Sequence, residues 1–315
     1  MTLRRFNSVR VIPGMVLWAT VLVGLAGCRR AGVEETAARH DTGAGASGAY
    51  ERIVSLAPSI TEILFALDLD ERVVGVTRFC RYPEAARSKA KVGGFEDISM
   101  EAVAGLRPDL VIVLDAHRHV AGDLRRLLAC DIIEVQHETV SGILQSIRDI
   151  GAATGMGRRA RALTDDVERR MRWVARQTAG KAKPSVLLTL GSALAGEGMG
   201  SIFIAGEGGF YDRMIELAGG TNAYTGKLIF PSISPEGLLR MDPDVIVELA
   251  AGAEARTGAV EEVKARWRRL PELTAVERHR VHVLTGDYVT VPGPRFIHTL
   301  EDLARVLHPE IDRDE

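Results

Sequence analysis

The side chains best suited to chemistry lie in short connecting stretches, and the first question is whether any of them could catalyse. Cys80 sits between Arg78 and Arg81, cations that could lower a thiol pKa, yet no histidine stands at a recognisable spacing to activate it. No GxSxG or HExxH pattern occurs either. His117 and His119 flank Arg118 and would share one face if that stretch were extended, but a zinc site needs a third ligand that is not evident. Gly196-Glu197-Gly198-Met199-Gly200-Ser201 follows an expected strand but lacks the full dinucleotide spacing, and no helix begins at once. The expectation is therefore no catalytic residue, no metal site and no cofactor, with an exported enzyme as the remote alternative.

Binding chemistry is better represented. Phe79, Phe95 and Phe230 each fall in an expected loop beside proline or glycine, outside any apolar periodic run. Flat apolar rings can cover a large ligand, although they neither donate hydrogen bonds nor ligate metal. The loop holding Phe79 (Arg78-Phe79-Cys80-Arg81-Tyr82-Pro83) is rich in aromatic and basic side chains for an exposed connection. A second polar and aromatic loop, Gly286 to Arg295, contains Asp287, Tyr288 and Arg295.

Phe95 and Phe230 also introduce a repeat. Each stands three residues before an Ile-Ser that opens a common pattern, Ile98 to Val113 and Ile233 to Glu248. Ser99 and Ser234 occupy expected helix N-caps, Pro235 the first helical position, and Glu101 and Glu236 the first turn, where the helix dipole favours a carboxylate. Pro108 and Pro243 stop the helices, and Leu110 to Leu114 and Val245 to Leu249 are apolar, β-rich runs suited to buried parallel strands. One helix-turn-strand unit is used twice.

The surrounding elements place both copies in α/β lobes. Strand Arg52 to Leu56 precedes a helix expected to open with a capping box between Ser59 and Glu62. Val73 to Val76 and Ile132 to Val135 read as strands, Asp123 to Ala129 as helix-like, and Val140 to Thr154 as a helix. His117 and His119 are expected to be exposed at the carboxyl end of a strand. Ala160, Leu163, Val167, Met171 and Val174 recur at helical spacing from Gly157 to Gln177, a run of about 30 Å that can cross between lobes. The second half adds strand Ser185 to Leu190, helix Phe210 to Leu217 ending at Gly219-Gly220, helix Val260 to Trp267, strand Val281 to Leu284 and helix Phe296 to Leu307.

The chain of 315 residues, 46% hydrophobic, is long enough for two domains with their own cores. A net charge of −2 with interspersed signs offers no basic stripe for nucleic acid. Arg4, Arg5 and Arg10 precede the apolar Val11 to Val23 and then Leu25-Ala26-Gly27-Cys28, the layout of a secretory signal. The last four residues resemble the lipobox of bacterial lipoproteins, which implies lipidation at Cys28. Residues 29–49 are small, polar and glycine-rich, a flexible tether. Cys80 and Cys130 remain; an exported location permits a disulfide between them, and a buried thiol is expected at Cys130.

Several ordered segments carry a family resemblance: RIVSLAPSITEILFAL, RFCRYP, KVGGF, SMEAVAGLRPDLVIV, the long central helix, YDRMIELAGGTN, SPEGLLRMDPDVIV and VPGPRF. Together they resemble the periplasmic binding proteins of ABC importers for vitamin B12, haem and iron-siderophore complexes, and RFCRYP with its flanking aromatics is most similar to the cobalamin-binding branch. The resemblance implies two Rossmann-like α/β lobes with central parallel sheets, joined by one long rigid helix, with ligand in the cleft between them. The implied organisation is signal peptide 1–28, tether 29–49, first lobe 50–156, connecting helix 157–178 and second lobe 179–315. It further implies corrinoid contact by Phe79, Phe95 and Phe230, with Tyr82, Asp287, Tyr288 and Arg295 as further ligand-side residues. Tyr82 and Arg295 could instead hold loops. Glu101 and Glu236 match the residues that dock on arginines of the two membrane subunits. A monomeric, exported lipoprotein serving an ABC permease and its ATPase follows from the same resemblance, with haem or a ferric siderophore as the alternative ligand.

Overall fold

Two parallel sheets, each built on the same β-α-β logic, frame the molecule. The computed structural model describes residues 50–190, 202–253 and 256–311. In the first lobe β1 (Ile53–Ser55), α1 (Pro58–Ala66), β2 (Val73–Val76), β3 (Ala90–Lys91), α2 (Met100–Gly105), β4 (Leu110–Leu114), α3 (Arg118–Leu127), β5 (Asp131–Val135) and α4 (Val140–Ala153) follow in order. Their strands form an all-parallel sheet in the order β3-β2-β1-β4-β5. Helix α5 (Gly157–Thr178) comes next. The second lobe holds β6 (Ser185–Thr189), β7 (Ile202–Phe203), α6 (Phe210–Leu217), β8 (Thr221–Asn222), β9 (Ser232–Ile233), α7 (Pro235–Met241), β10 (Val245–Leu249), α8 (Ala259–Trp267), α9 (Thr274–Glu277), β11 (Val281–Leu284) and α10 (Phe296–Leu307). Its main sheet runs β11-β10-β6-β8, and β7 pairs antiparallel with β9.

The repeated unit is repeated in atomic detail. Ser99 caps α2 by accepting from the Ala102 amide at 3.2 Å, and Ser234 caps α7 from Gly237 at 3.3 Å. After each helix one non-glycine residue turns the chain in the left-handed region, Arg107 at φ 45° and Asp242 at φ 39°. The next acid then anchors a neighbouring strand. Asp109 accepts from the Glu51 and Arg52 amides (2.7 and 3.0 Å) just before β1, and Asp244 accepts from Ser185 at the start of β6 (2.9 Å). Each Pro-Asp thus fixes the register of β4 or β10 against the strand beside it.

Alternation along the strands sorts the core. In β4, Leu110, Ile112 and Leu114 face one cluster while Val111 and Val113 face another. In β10, Val245, Val247 and Leu249 join that same first cluster, and Ile246 points the other way with Trp267. Each lobe thus has a cluster of its own, around Val111 and Val113 in the first and around Ile246 and Trp267 in the second, and a further cluster runs from the first sheet through Ala160, Val167 and Val174 of α5 into the second. The described residues accordingly form one compact unit.

Four local expectations change. Helix α1 has Ala57 as N-cap with no side-chain cap, because Pro58 starts the helix and moves Ser59 inside it. The capping box is absent, and Ser59 and Glu62 have other partners described below. The helix after β4 begins earlier, at Arg118, and its lead-in is a 3-10 turn over Asp115–His117, so the two histidines do not lie on an extended strand. His117 is buried beneath Phe95, and only His119 is exposed. Both cysteines are free; Cys80 is the buried one, and Cys130 is only partly covered.

Candidate functional site

Parallel strands bring all their carboxyl ends to one edge of a sheet, and in open α/β sheets ligand loops collect there. The turn after β2 carries Phe79 and Tyr82, the turn after β3 carries Phe95, and the turn after β4 carries His117. Phe79, Phe95 and Phe230 are 47%, 39% and 54% exposed, which is unusual for phenylalanine and leaves their rings available to a ligand. Phe95 rests edge-on against His117, centroids 4.3 Å apart. Burial, then His119, holds the His117 imidazole below its ordinary pKa, so the ring supports Phe95 in its neutral form.

Phe79 is positioned from beneath by charge. The Arg78 guanidinium lies 5.3 Å from its ring and is tied to both carboxylate oxygens of Asp97, at 2.7 and 2.8 Å. That hydrogen bond to Arg78 lowers the Asp97 carboxyl. Gly93 at φ 109° and Gly94 let this turn fold tightly against Asp97, with no room for a side chain at either position.

On the second lobe, Leu228, Ile229 and Phe230 form an exposed apolar run laid over Gly206, whose amide donates to the Ile229 carbonyl at 2.7 Å. Phe230 meets the Tyr211 ring at 6.5 Å, and the Tyr211 hydroxyl donates to the Val289 carbonyl at 3.0 Å. No ring contact joins the three phenylalanines to one another among the described residues.

The four polar candidates, in contrast, converge. Arg295 of the second lobe donates through Nη2 and Nε to Glu62 of the first, at 2.6 and 3.0 Å, and through Nη1 to Asp287 at 2.6 Å. Its Cζ lies 3.5 Å from the Tyr82 ring centroid and 5.8 Å from that of Tyr288. The Tyr288 hydroxyl donates to Asp302 at 2.7 Å, and burial followed by that bond pushes its pKa up to about 12. Burial raises the Glu62 carboxyl and Arg295 pulls it back; burial also opposes the Arg295 charge, but its bonds to Glu62 and Asp287 more than offset this. Arg295 is thus a cross-lobe tie. Gly293 in the same loop packs on Ser59, and the Ser59 hydroxyl and His137 Nδ1 hydrogen-bond at 2.7 Å.

The sequence places Ser59 and Glu62 in a capping box and gives no role to His137; their pairing with His137 and Arg295 is a finding of the structure. A glutamate inside the apolar run Ile60, Ile63, Leu64 and Leu67 was the available signal, since burying a carboxylate calls for a cation partner. Glu101 and Glu236 stand exposed on the first turns of α2 and α7. Ser234 holds the Glu236 carboxyl below its ordinary range. Among the described residues no group of three metal ligands occurs and no helix is long and apolar enough to cross a membrane. Cys28 and Gly196 to Ser201 lie outside the described residues.

Known proteins share this architecture. An uncharacterised ABC transporter substrate-binding lipoprotein, YvrC, of Bacillus subtilis (strain 168) is 30% identical over 267 residues, 82% of this chain and 81% of that protein. The crystal structure of the periplasmic vitamin B12 binding protein BtuF of Vibrio cholerae is 26% identical with a TM-score of 0.68, covering 82% of this chain and 96% of BtuF. The periplasmic haem-binding protein RhuT from Roseiflexus sp. RS-1, in apo form, is 28% identical with a TM-score of 0.69, covering 83% and 99%. Residues 53–288 match the periplasmic binding protein family. The chain therefore belongs to that family and is a substrate-binding protein of an ABC transporter, a class that binds a ligand and works with a permease and its ATPase.

Proposed function

We propose that this protein is a lipid-anchored, non-catalytic and monomeric receptor that captures a corrinoid between its lobes and delivers it to an ABC import permease. The observation carrying the ligand choice is the set of three exposed phenylalanines, Phe79 and Phe95 at the carboxyl edge of the first sheet and Phe230 on the second lobe. A corrin ring is broad and largely apolar, and its cobalt needs no ligand from the protein, so rings that cover without coordinating suit it. The likeness to BtuF, the periplasmic vitamin B12 binding protein of Vibrio cholerae, supports the same choice.

Haem is the second reading, favoured by the 28% identity to RhuT. An axial tyrosine or histidine would be expected for it. Of the candidates, Tyr288 spends its hydroxyl on Asp302 and His117 is buried under Phe95, which leaves Tyr82. A ferric siderophore stands behind haem. Titrating the purified protein separately with cyanocobalamin, haem and a ferric siderophore tests the assignment. Micromolar or tighter binding of cyanocobalamin is expected; its absence alongside tight haem binding would replace the corrinoid with haem.

In this reading Glu101 and Glu236 are the permease-docking residues, one per lobe, and Cys28 is the lipidated residue. Two separated carboxylates fix orientation and steer association on paired arginines. Membrane partitioning that is lost in Cys28→Ser is the expected signature of the anchor.

A further inference from the structure

The loop that presents Phe79 and Tyr82 has a second face, and that face is cationic. Arg78, Cys80, Arg81, Arg87 and Lys91 line an open pocket of about 320 Å³, four cations with no acid among the lining side chains. It lies where the turn after β2, the 3-10 turn Glu84–Ser88 and the edge strand β3 meet, at the carboxyl edge of the first sheet.

The positive charge there is only partly neutralised. Arg78 is paired with Asp97 at 2.7 Å, and Arg87 Nε lies 3.3 Å from Glu84, an exposed carboxylate one turn away. Arg87 Nε also donates to the Arg81 carbonyl at 3.1 Å, and Lys91 Nζ donates to the Ala86 carbonyl at 2.9 Å. These bonds hold the loop around the concavity and consume no charge. Neither Arg81 nor Lys91 has a carboxylate within ion-pair distance among the described residues. On a concave wall where four cations face two acids, the uncompensated pair raises the local positive potential, and an oxyanion relieves it while accepting several charge-assisted bonds.

We infer that this pocket binds an anionic oxygen group, a phosphate or carboxylate, appended to the ligand whose flat body lies on the neighbouring phenylalanines. This rests on the corrinoid reading for the identity of that body. The link between the two is Arg78, which lines the pocket and lies 5.3 Å from the Phe79 ring. In a cobalamin the group would be the phosphodiester of the nucleotide arm; in haem it would be a propionate.

The test compares ligands that differ in that anion, using wild type and the exposed substitutions Arg81→Gln and Lys91→Gln, with folding checked by circular dichroism. Cyanocobalamin affinity should fall about tenfold in each variant, and its advantage over dicyanocobinamide, which lacks the phosphate arm, should shrink by the same factor. Wild-type affinity for cyanocobalamin should also weaken with added salt more steeply than that for dicyanocobinamide. If the protein takes haem and no corrinoid, the corrinoid reading fails, and the ratio of haem to its dimethyl ester reads out the pocket in the same way. Unchanged affinities for every ligand in both variants would overturn the pocket and leave the corrinoid reading intact. Inorganic phosphate that binds the wild type but does not compete with cyanocobalamin would overturn the appended-group assignment in favour of a free anion site.

Discussion

Arg295 and Glu62 belong to different lobes and meet through two parallel hydrogen bonds of 2.6 and 3.0 Å, with the Glu62 side chain 3% exposed. A buried pair of this kind adds little net stability over an apolar replacement, but losing one partner strands the other. Arg295→Ala should therefore cost on the order of 3 kcal/mol at pH 8. Glu62 is already pushed up by burial, and without Arg295 it would bind a proton more readily in the folded state. A raised carboxyl gives stability below its unfolded pKa that is lost as pH rises through the folded value, so the defect should shrink at pH 5. Urea denaturation at both pH values measures this; an equal loss at pH 5 and pH 8 would contradict it. Restoring shape without charge in Glu62→Leu with Arg295→Met should recover most of the stability.

His137 supplies a pH dependence of the opposite sign. Burial holds its pKa at about 4, against an ordinary 6.5, and its Nδ1 is bonded to Ser59. Between those values the unfolded chain binds the proton and the folded chain does not. Stability should thus fall as pH drops from about 6.5 to 4, by up to roughly 3 kcal/mol from this residue alone. Burial also lowers His117, His282 and His298, so the measurement is the difference in pH slope between wild type and His137→Gln. Identical slopes would show that His137 does not titrate there.

These two groups mark the boundary of what the sequence reveals. The Ser99 and Ser234 caps, the helix stop at each Pro-Asp, and α5 follow from local rules, because caps and helical periodicity depend on neighbours a few residues away. The two-residue strands β3, β7, β8 and β9 carry too little pattern to be seen. Ser59 and Glu62 fit a capping box locally, yet Pro58 shifts the helix start, and partners 78 and 233 residues distant in sequence claim both side chains. The exposed phenylalanines were legible as loop residues. The support of Phe95 by His117 and of Phe230 by Tyr211 was not, since each partner comes from another element, the turn after β4 and helix α6.

Docking through Glu101 and Glu236 predicts a separation of two readouts. Both carboxylates are exposed, and each stands at the start of an equivalent helix, one on each lobe. Glu101→Lys and Glu236→Lys should each reduce ligand uptake by about tenfold or more in cells or proteoliposomes, and the pair should abolish it. Ligand affinity of the isolated protein should remain within twofold of wild type. Weakened ligand binding, or undiminished uptake in the double variant, would count against docking.

The shared core predicts how the lobes come apart. Val167 and Val174 of α5 are buried in the cluster that also holds Ile112 and Leu114 of the first sheet and Val245 and Val247 of the second. A helix that only linked two independent domains would leave each lobe with its own unfolding transition. Here α5 packs on α4 of the first lobe and on α10 and α6 of the second, and its buried side chains share one cluster with both sheets, so shortening one of them withdraws packing from that shared cluster. Val167→Ala should cost about 2 kcal/mol. Under conditions where exchange requires global opening, that loss should accelerate amide exchange about 30-fold in β4 and by a similar factor in β10. Hydrogen exchange read by mass spectrometry on peptides from the two strands distinguishes the cases. Acceleration confined to one strand would mean that the lobes unfold separately and that α5 belongs energetically to only one of them.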